Sequence, residues 1–262
     1  MSFLAVNQIS HLFFNKNGTT QALDSVSFSM KEGEFVSLLG PSGCGKSTLL
    51  NIVAGLIKQT EGNVLLKGEP LHDQDHKIGY MLQQDYLFPW KTILDNVLLG
   101  PQISKVRNEE IELEACHLLD EVGLPDVSSK YPHSLSGGMR QRAALVRTLI
   151  NEPEILLLDE PFSALDYFTK LKLEDLVAKI LKTYKKTAIL VTHDIGEAIS
   201  MSDRIIVMDR QPGKIHQIFD MPIELRDERP FMCRRHPKYQ MVFDKVWGSM
   251  NEIESAAKGG GT

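Results

Sequence analysis

Residues 34–48 read Glu-Phe-Val-Ser-Leu-Leu-Gly-Pro-Ser-Gly-Cys-Gly-Lys-Ser-Thr. A short apolar run, Glu34–Leu39, feeds directly into a loop with glycines at 40, 43 and 45. A helix-forming stretch from Lys46 to Ala54 follows, and Gly55 closes it. No other segment constrains the chain as tightly. The spacing G-x-x-x-x-G-K-[ST], met by Gly40, Gly45, Lys46 and Ser47, demands strand, turn and helix in that order. Glycines let successive N–H groups of the turn point at one anion, and the helix adds the positive end of its dipole. Gly40, Pro41, Ser42, Gly43, Cys44, Gly45, Lys46, Ser47 and Thr48 thus read as a cradle for the phosphates of a nucleotide. In that reading Lys46 pairs with the β and γ phosphates, and Ser47 ligates Mg²⁺. Cys44 reads as a small residue that fits the loop, and a substituent on its sulfur is expected to block nucleotide binding by bulk.

Composition narrows the alternatives. With 262 residues the chain is long enough for one large domain or two small ones. A formal net charge of −5 gives no basic surface for nucleic acid. No apolar run reaches the roughly 18–20 residues that cross a bilayer. The opening Met1-Ser-Phe-Leu-Ala-Val lacks the charged and apolar regions of a signal peptide. Cys44, Cys116 and Cys233 are odd in number and far apart, which argues for a reducing cytosol rather than a disulfide framework.

The organisation follows from periodicity. Residues 3–30 alternate around Asn15–Gly18 and predict antiparallel strands. Asn63–Lys67, Lys77–Leu82, Glu154–Leu158, Thr187–Val191 and Arg204–Met208 read as further strands, and 169–183 and Ile195–Met201 as helices. From Thr92 to Ile150 the apolar spacing is mostly helical. Near-continuous Val/Ile/Leu strands between helices indicate a parallel sheet covered on both faces, an α/β fold with an inserted helical segment. A polar tail from about 221 is expected to be partly helical, with Lys258–Thr262 disordered.

Three further constellations carry chemistry. Ile155–Asp159 is a buried strand running into Asp159-Glu160, and a buried strand has little use for two acids at its end unless a cation or a proton transfer occupies them. Asp159 is assigned to the Mg²⁺ shell and Glu160 to the general base that polarises the attacking water. His193 follows the strand Thr187–Val191 and is placed at the γ-phosphate, where it donates a hydrogen bond and helps orient that water. Gln83, with Gln84 as its neighbouring alternative, follows another strand, and its amide can reach Mg²⁺ or water. Finally, Leu135-Ser-Gly-Gly-Met-Arg-Gln-Arg142 sets Ser136, Gly137 and Gly138 before a helical run, again aiming N–H groups at an anion.

Together these runs resemble the ATP-binding-cassette family of transport ATPases over about residues 3–220. Gly40–Thr48 is similar to its Walker A motif, Ile155–Glu160 to Walker B and Leu135–Arg142 to its signature motif. Ser163–Asp166 resembles its D-loop, His193 its switch histidine and Gln83 its Q-loop glutamine. The resemblance implies a P-loop NTPase: a RecA-like core with an antiparallel β subdomain (1–84 and 153–220), a helical subdomain (85–152) and a short C-terminal extension (221–262). It implies that Ser136, Gly137 and Gly138 grip the γ-phosphate of ATP held by a second copy of the chain, with Asp166 beside the nucleotide. An aromatic that stacks on adenine falls at Phe13, with Phe14 as the alternative. Gln83–Trp90 is similar to the nitrate/sulfonate/taurine group of importer ATPases, which includes relatives serving uptake of thiamine-related pyrimidines. The implied partners are a membrane permease, whose coupling helix meets Tyr86, Leu87, Phe88 and Trp90, and indirectly an extracytoplasmic solute-binding protein. The implied place is the cytoplasmic face of the membrane. Exporter and lipid-machinery ATPases share the fold and are discriminated by their partner, whereas soluble cassette ATPases typically carry a long coiled-coil insertion or two cassettes per chain, neither of which this sequence shows.

Overall fold

The computed structural model describes residues 2–15, 18–71, 78–210 and 212–259. Chain order begins with strands β1 (Leu4–Asn15), β2 (Gly18–Met30) and β3 (Phe35–Leu39), then helix α1 (Lys46–Val53). Strands β4 (Glu61–Leu66), β5 (Glu69–Pro70) and β6 (Ile78–Met81) follow. The helical stretch holds α2 (Ile93–Val97), α3 (Leu99–Ile103), α4 (Glu109–Glu121) and α5 (Gly137–Leu149). Alternation resumes with β7 (Ile155–Asp159), α6 (Tyr167–Thr183), β8 (Thr187–Thr192), α7 (Ile195–Met201), β9 (Arg204–Met208) and β10 (Ile215–Asp220). The tail contributes α8 (Ile223–Arg226), α9 (Pro230–Cys233) and α10 (Tyr239–Gly259).

Two sheets result. The larger has the order β10-β9-β3-β8-β7-β6, and the smaller β2-β1-β4-β5. From β9 to β6 every neighbouring pair of the larger sheet is parallel, while β10 runs antiparallel along its edge. The side-chain period of two decides the layers. Leu156, Leu158, Ala188 and Leu190 face a core shared with α2, α4, α5 and α6. Their neighbours Ile155, Leu157, Ile189 and Val191 face a second core shared with α1 and the smaller sheet. Strands buried on both faces carry no polar alternation, which is why β3, β7 and β8 read as continuous apolar runs. The helical segment and one face of the sheet are thus joined by a single apolar cluster.

Helix starts follow local chemistry. Thr92, Asn108, Ser136, Asp166 and Asp194 each accept a hydrogen bond from the third residue of the helix they open. Helix α1 differs. Gly45 precedes it at φ +92°, with no side-chain cap and no acid in the first turn. Its leading N–H groups are left to an outside acceptor.

The tail departs from expectation in two ways. Lys258 and Gly259 belong to α10, while 260–262 lie outside the described residues. Nor is the tail a polar appendage. Met221, Leu225, Cys233, Val242, Val246 and Ile253 pack with Leu39, Ile199, Ile205 and Val207 as a third core. Leu225→Ala removes a side chain that is 1% exposed. It should cost about 2–4 kcal/mol in urea denaturation, whereas a loss below about 0.5 kcal/mol would mark the tail as loosely attached.

Candidate active site

Parallel pairing puts the ends of three strands side by side. Leu39 pairs with Thr192, and Asp159 pairs with Val191. The ladder runs one step further, since Glu160 N donates to Val191 O at 2.9 Å. Gly40, Glu160 and His193 therefore leave the same edge of the sheet.

The glycine-rich turn is fixed from outside by close approaches. A Cβ on Gly40 would meet Met208 O at 2.7 Å, and one on Gly45 would meet Ala22 O at 2.8 Å. Gly213, just before β10, backs the loop as well: a Cβ on it would collide with Cys44 O, and it is tied to β2, its N donating to Ala22 O at 2.9 Å and its O accepting from Asp24 N at 3.0 Å. Lys46 is buried, and its Nζ donates to Gly40 O (2.7 Å) and Pro41 O (3.0 Å). The ammonium rests on carbonyls of its own loop, neutral acceptors that a phosphate oxygen would outcompete by charge. Cys44 is fully buried and packs in the core, and burial pushes its thiol up. A reagent reaches it only after the loop opens, so bulk on this sulfur acts through the loop's packing and not only across the phosphate path.

The two acids take different partners. Ser47 Oγ donates to Asp159 Oδ1 at 3.1 Å. Tyr80 Oη donates to Asn51 Oδ1 at 2.9 Å and lies 3.4 Å from Asp159 Oδ2. Burial pushes the Asp159 carboxyl up, Glu160 adds to this, and the Ser47 hydroxyl opposes it. Burial and the same carboxylate raise the Tyr80 phenol. Glu160 sits at φ +46°, a strained setting for a non-glycine residue, and its Oε2 lies 3.2 Å from His193 Nδ1.

Around this edge stand the other candidates. Gln83 Nε2 donates to Ser163 Oγ at 3.1 Å, and Ser163 Oγ donates to Glu160 O at 2.9 Å. Gln84 lines a small cleft with Gly137, Arg140 and Gln141. Ser136 caps α5 and Asp166 caps α6. A Cβ on Gly138 would collide with the Thr169 methyl in the first turn of α6, so glycine lets the two helix starts approach without displacing that side chain. Among the described residues no hydrogen bond joins Leu135–Arg142 to Gly40–Thr48. Phe13 packs edge-to-face on His11, with centroids 4.6 Å apart, and Phe14 is 76% exposed. Tyr86 and Trp90 are 59% and 71% exposed, and Phe88 leans on Trp90 with centroids 5.1 Å apart. Leu87 is a correction to the sequence reading: it is buried in the core and offers no docking surface.

Several supporting residues were not found from the sequence. Tyr80 is one. Gln141 is another: its Nε2 donates to Gln83 O at 2.8 Å, tying α5 to the segment after β6. Arg140 pairs with Asp85 at 2.9 Å, and Arg147 donates to Asp85 O and Tyr86 O. The arginine-rich face of α5 was the available signal.

A family model described as ABC transporter matches residues 23–163, more than half of the chain. The chain belongs to the ABC transporter family. This ABC protein is 56% identical over 254 residues to the ABC transporter ATP-binding protein YtlC of Bacillus subtilis (strain 168), covering 97% of this chain and 98% of that one. It is 45% identical to the taurine import ATP-binding protein TauB of Ruegeria pomeroyi, covering 98% of this chain and all of the relative. It superposes with TM-score 0.72 and 36% identity on the ATP-binding cassette MJ0796, solved as a dimer in a post-hydrolysis state with ADP and Pi, covering 84% of this chain and 99% of that one. The fold is thus that of a P-loop NTPase cassette, and the chain is a nucleotide-binding ATPase.

Behind the histidine lies a buried charge cluster. Lys170 Nζ is 2.6 Å from both Asp194 Oδ2 and Glu197 Oε1. One turn along α6, Glu174 is fully buried, with Arg234 Nη2 2.7 Å from its Oε2. Burial pushes the Glu174 carboxyl up to about 7, despite the opposing pull of Arg234. Between about pH 4.5 and 7 the folded chain therefore holds a proton that the unfolded chain has released. Stability falls as pH rises through that window, by up to about 3 kcal/mol. Glu174→Gln has no such proton to lose. In urea denaturation at pH 5 and pH 8, the variant should gain stability relative to wild type at the higher pH, and parallel pH dependences would contradict the burial argument.

Proposed function

We propose that this chain is the ATP-hydrolysing subunit of a bacterial importer, working as a pair of copies that enclose two ATP molecules. The observation that carries the reading is the shared strand edge. It presents a loop of N–H donors with Lys46, a hydroxyl–carboxylate pair and a carboxylate–imidazole pair within a few residues of three paired strand ends. Its near full-length similarity to a protein named for taurine import supports the direction of transport. It also favours a small solute of the nitrate, sulfonate, taurine or pyrimidine class.

Gly40–Thr48 cradle the phosphates, and Phe13 or Phe14 stacks on the adenine. The donor set at Ser47 and Asp159 fits a hard divalent cation. Two oxygens lie 3.1 Å apart, and partial burial beside Glu160 raises the Asp159 carboxyl, a cost that a bound cation would offset. Ser47 and Asp159, with Gln83 as a further ligand, would hold Mg²⁺, which would supply charge neutralisation on the phosphates. Glu160 accepts the proton of the attacking water, and His193 orients that water and donates to the γ-phosphate. Ser136, Gly137 and Gly138 act on the nucleotide of the other copy, and Asp166 lies beside it. One cradle and one clamp on separate elements close two sites by head-to-tail pairing.

Closure draws the helical segments together and moves the permease that they grip. The permease's coupling helix docks on the exposed rings of Tyr86 and Trp90 and the half-buried Phe88 that leans on Trp90, as helix-in-groove recognition requires. The solute-binding protein acts through that permease. No helix among the described residues is long and apolar enough to cross a membrane. The chain is placed as a peripheral subunit at the cytoplasmic face.

Glu160→Gln keeps the shape of the side chain and removes the base. Phosphate release should fall by about 10²–10⁴-fold, while ATP holds the chain as a dimer in size-exclusion chromatography. A wild-type rate of phosphate release in this variant would overturn the assignment of Glu160.

A further inference from the structure

The loop that carries His193 is held by its two flanking residues and by groups on α6 and α7. Thr192 and Asp194 flank the histidine. Thr192 Oγ1 donates to Glu197 Oε2 and accepts from Asp194 N at 3.0 Å, and Asp194 Oδ1 accepts from Glu197 N at 3.0 Å. One ammonium, Lys170 of α6, closes this ring by meeting Asp194 Oδ2 and Glu197 Oε1. Glu197 is 4% exposed, so its pairing with Lys170 is shielded from water, while Asp194 is partly open to it. Burial alone would lower the Lys170 ammonium and raise the Asp194 carboxyl, yet their mutual hydrogen bonds prevail in both groups.

The ring continues into the tail. Glu174 lies one turn beyond Lys170 on α6, and among the described residues it forms an ion pair with Arg234 at the end of α9, at 2.7 Å. Neither Glu174 oxygen has an aligned hydrogen-bond partner, so Arg234 is its main compensation. Gly196 marks how tightly the tail closes on the loop. A Cβ there would meet Asp194 Oδ1 at 3.0 Å, Tyr239 Oη at 3.2 Å and Arg234 Nε at 3.8 Å. Three acids (Asp194, Glu174, Glu197) and two bases (Lys170, Arg234) thus form one packed unit spanning α6, the His193 loop and the tail.

We propose that Lys170 is a positioning residue for His193, and that the C-terminal tail, through Arg234 and Glu174, holds Lys170 and the histidine loop in hydrolysis-competent register. This rests on the reading of His193 as a group acting at the γ-phosphate. The tail is then a working part of the ATPase. A partner or ligand that moved α9 would change the hydrolysis rate without touching the phosphate cradle. Helix α6 fits this role, because Asp166 caps its start and its first turn abuts Gly138 at Thr169.

The test compares steady-state ATP hydrolysis of the full chain with Lys170→Met, Lys170→Arg, Arg234→Met, His193→Ala and Lys170→Met/His193→Ala. Lys170→Met should lower kcat by about 10–100-fold, leaving KM for ATP within about twofold because the cradle is untouched. Lys170→Arg should restore most of the rate, and Arg234→Met should lower kcat by about 3–10-fold. In the His193→Ala background, Lys170→Met should add less than about twofold, since the two act as one unit. A Lys170→Met protein with wild-type kcat, or one whose effect multiplies fully with that of His193→Ala, overturns the positioning role. A wild-type rate in Arg234→Met removes the tail from it. A wild-type rate in His193→Ala overturns the parent reading instead. Should Lys170→Met fail to fold, Asp194→Asn keeps the helix cap, removes the charge that Lys170 grips, and carries the same expectations.

Discussion

The in-register pairing of β3, β8 and β7 is the constraint on which the rest of this molecule depends. Parallel strands end on one edge, so whatever follows each strand is delivered to the same place. Here the three continuations are a glycine-rich turn, a histidine and a pair of acids. A one-residue slip of β7 would exchange the faces of Asp159 and Glu160, sending one from Ser47 and the other from His193. The apolar alternation that fills two cores therefore also sets which acid meets which partner.

That edge is assembled against local preference. The capped helices satisfy their first N–H groups with a serine, threonine, asparagine or aspartate, while α1 leaves them open. Asp159 is half-buried beside a second acid, Glu160 occupies a left-handed backbone setting, and Lys46 turns back onto its own loop. Each of these is unfavourable or unspent alone: a bound cation would offset the repulsion between the two acids, and a phosphate oxygen would draw the Lys46 ammonium from the carbonyls of its loop. An environment that stabilises the ligand's charges more than its own is what binding and hydrolysis of a nucleotide require.

Much of this was legible in the sequence because the strongest signals are local. The strand–turn–helix around Gly40–Thr48 and the apolar run into Asp159-Glu160 need no tertiary information. What escaped was set by contacts distant in sequence. Strand β10 reads Ile-His-Gln-Ile-Phe-Asp, a half-exposed edge strand with little pattern, and its position follows from pairing with β9. The tail spaces Val242, Val246 and Ile253 at helical intervals, but a partner face had to exist before their burial could be inferred. Leu87 lies between Tyr86 and Phe88 in a loop with no period, so nothing local separates the buried residue from its exposed neighbour. Lys170 looks like an ordinary surface lysine until α7 is placed against α6.

The central claim is that one copy's Ser136 closes on the nucleotide in the other copy's Gly40–Thr48 loop. It is tested most directly by mixing two cysteine variants in which the native cysteines are replaced, one carrying Ser42→Cys and the other Ser136→Cys, and oxidising them with and without ATP. The account predicts a disulfide-linked pair of chains that forms with ATP and not without it. Failure of the mixed pair to cross-link in the presence of ATP, when ATP is confirmed bound, would contradict it.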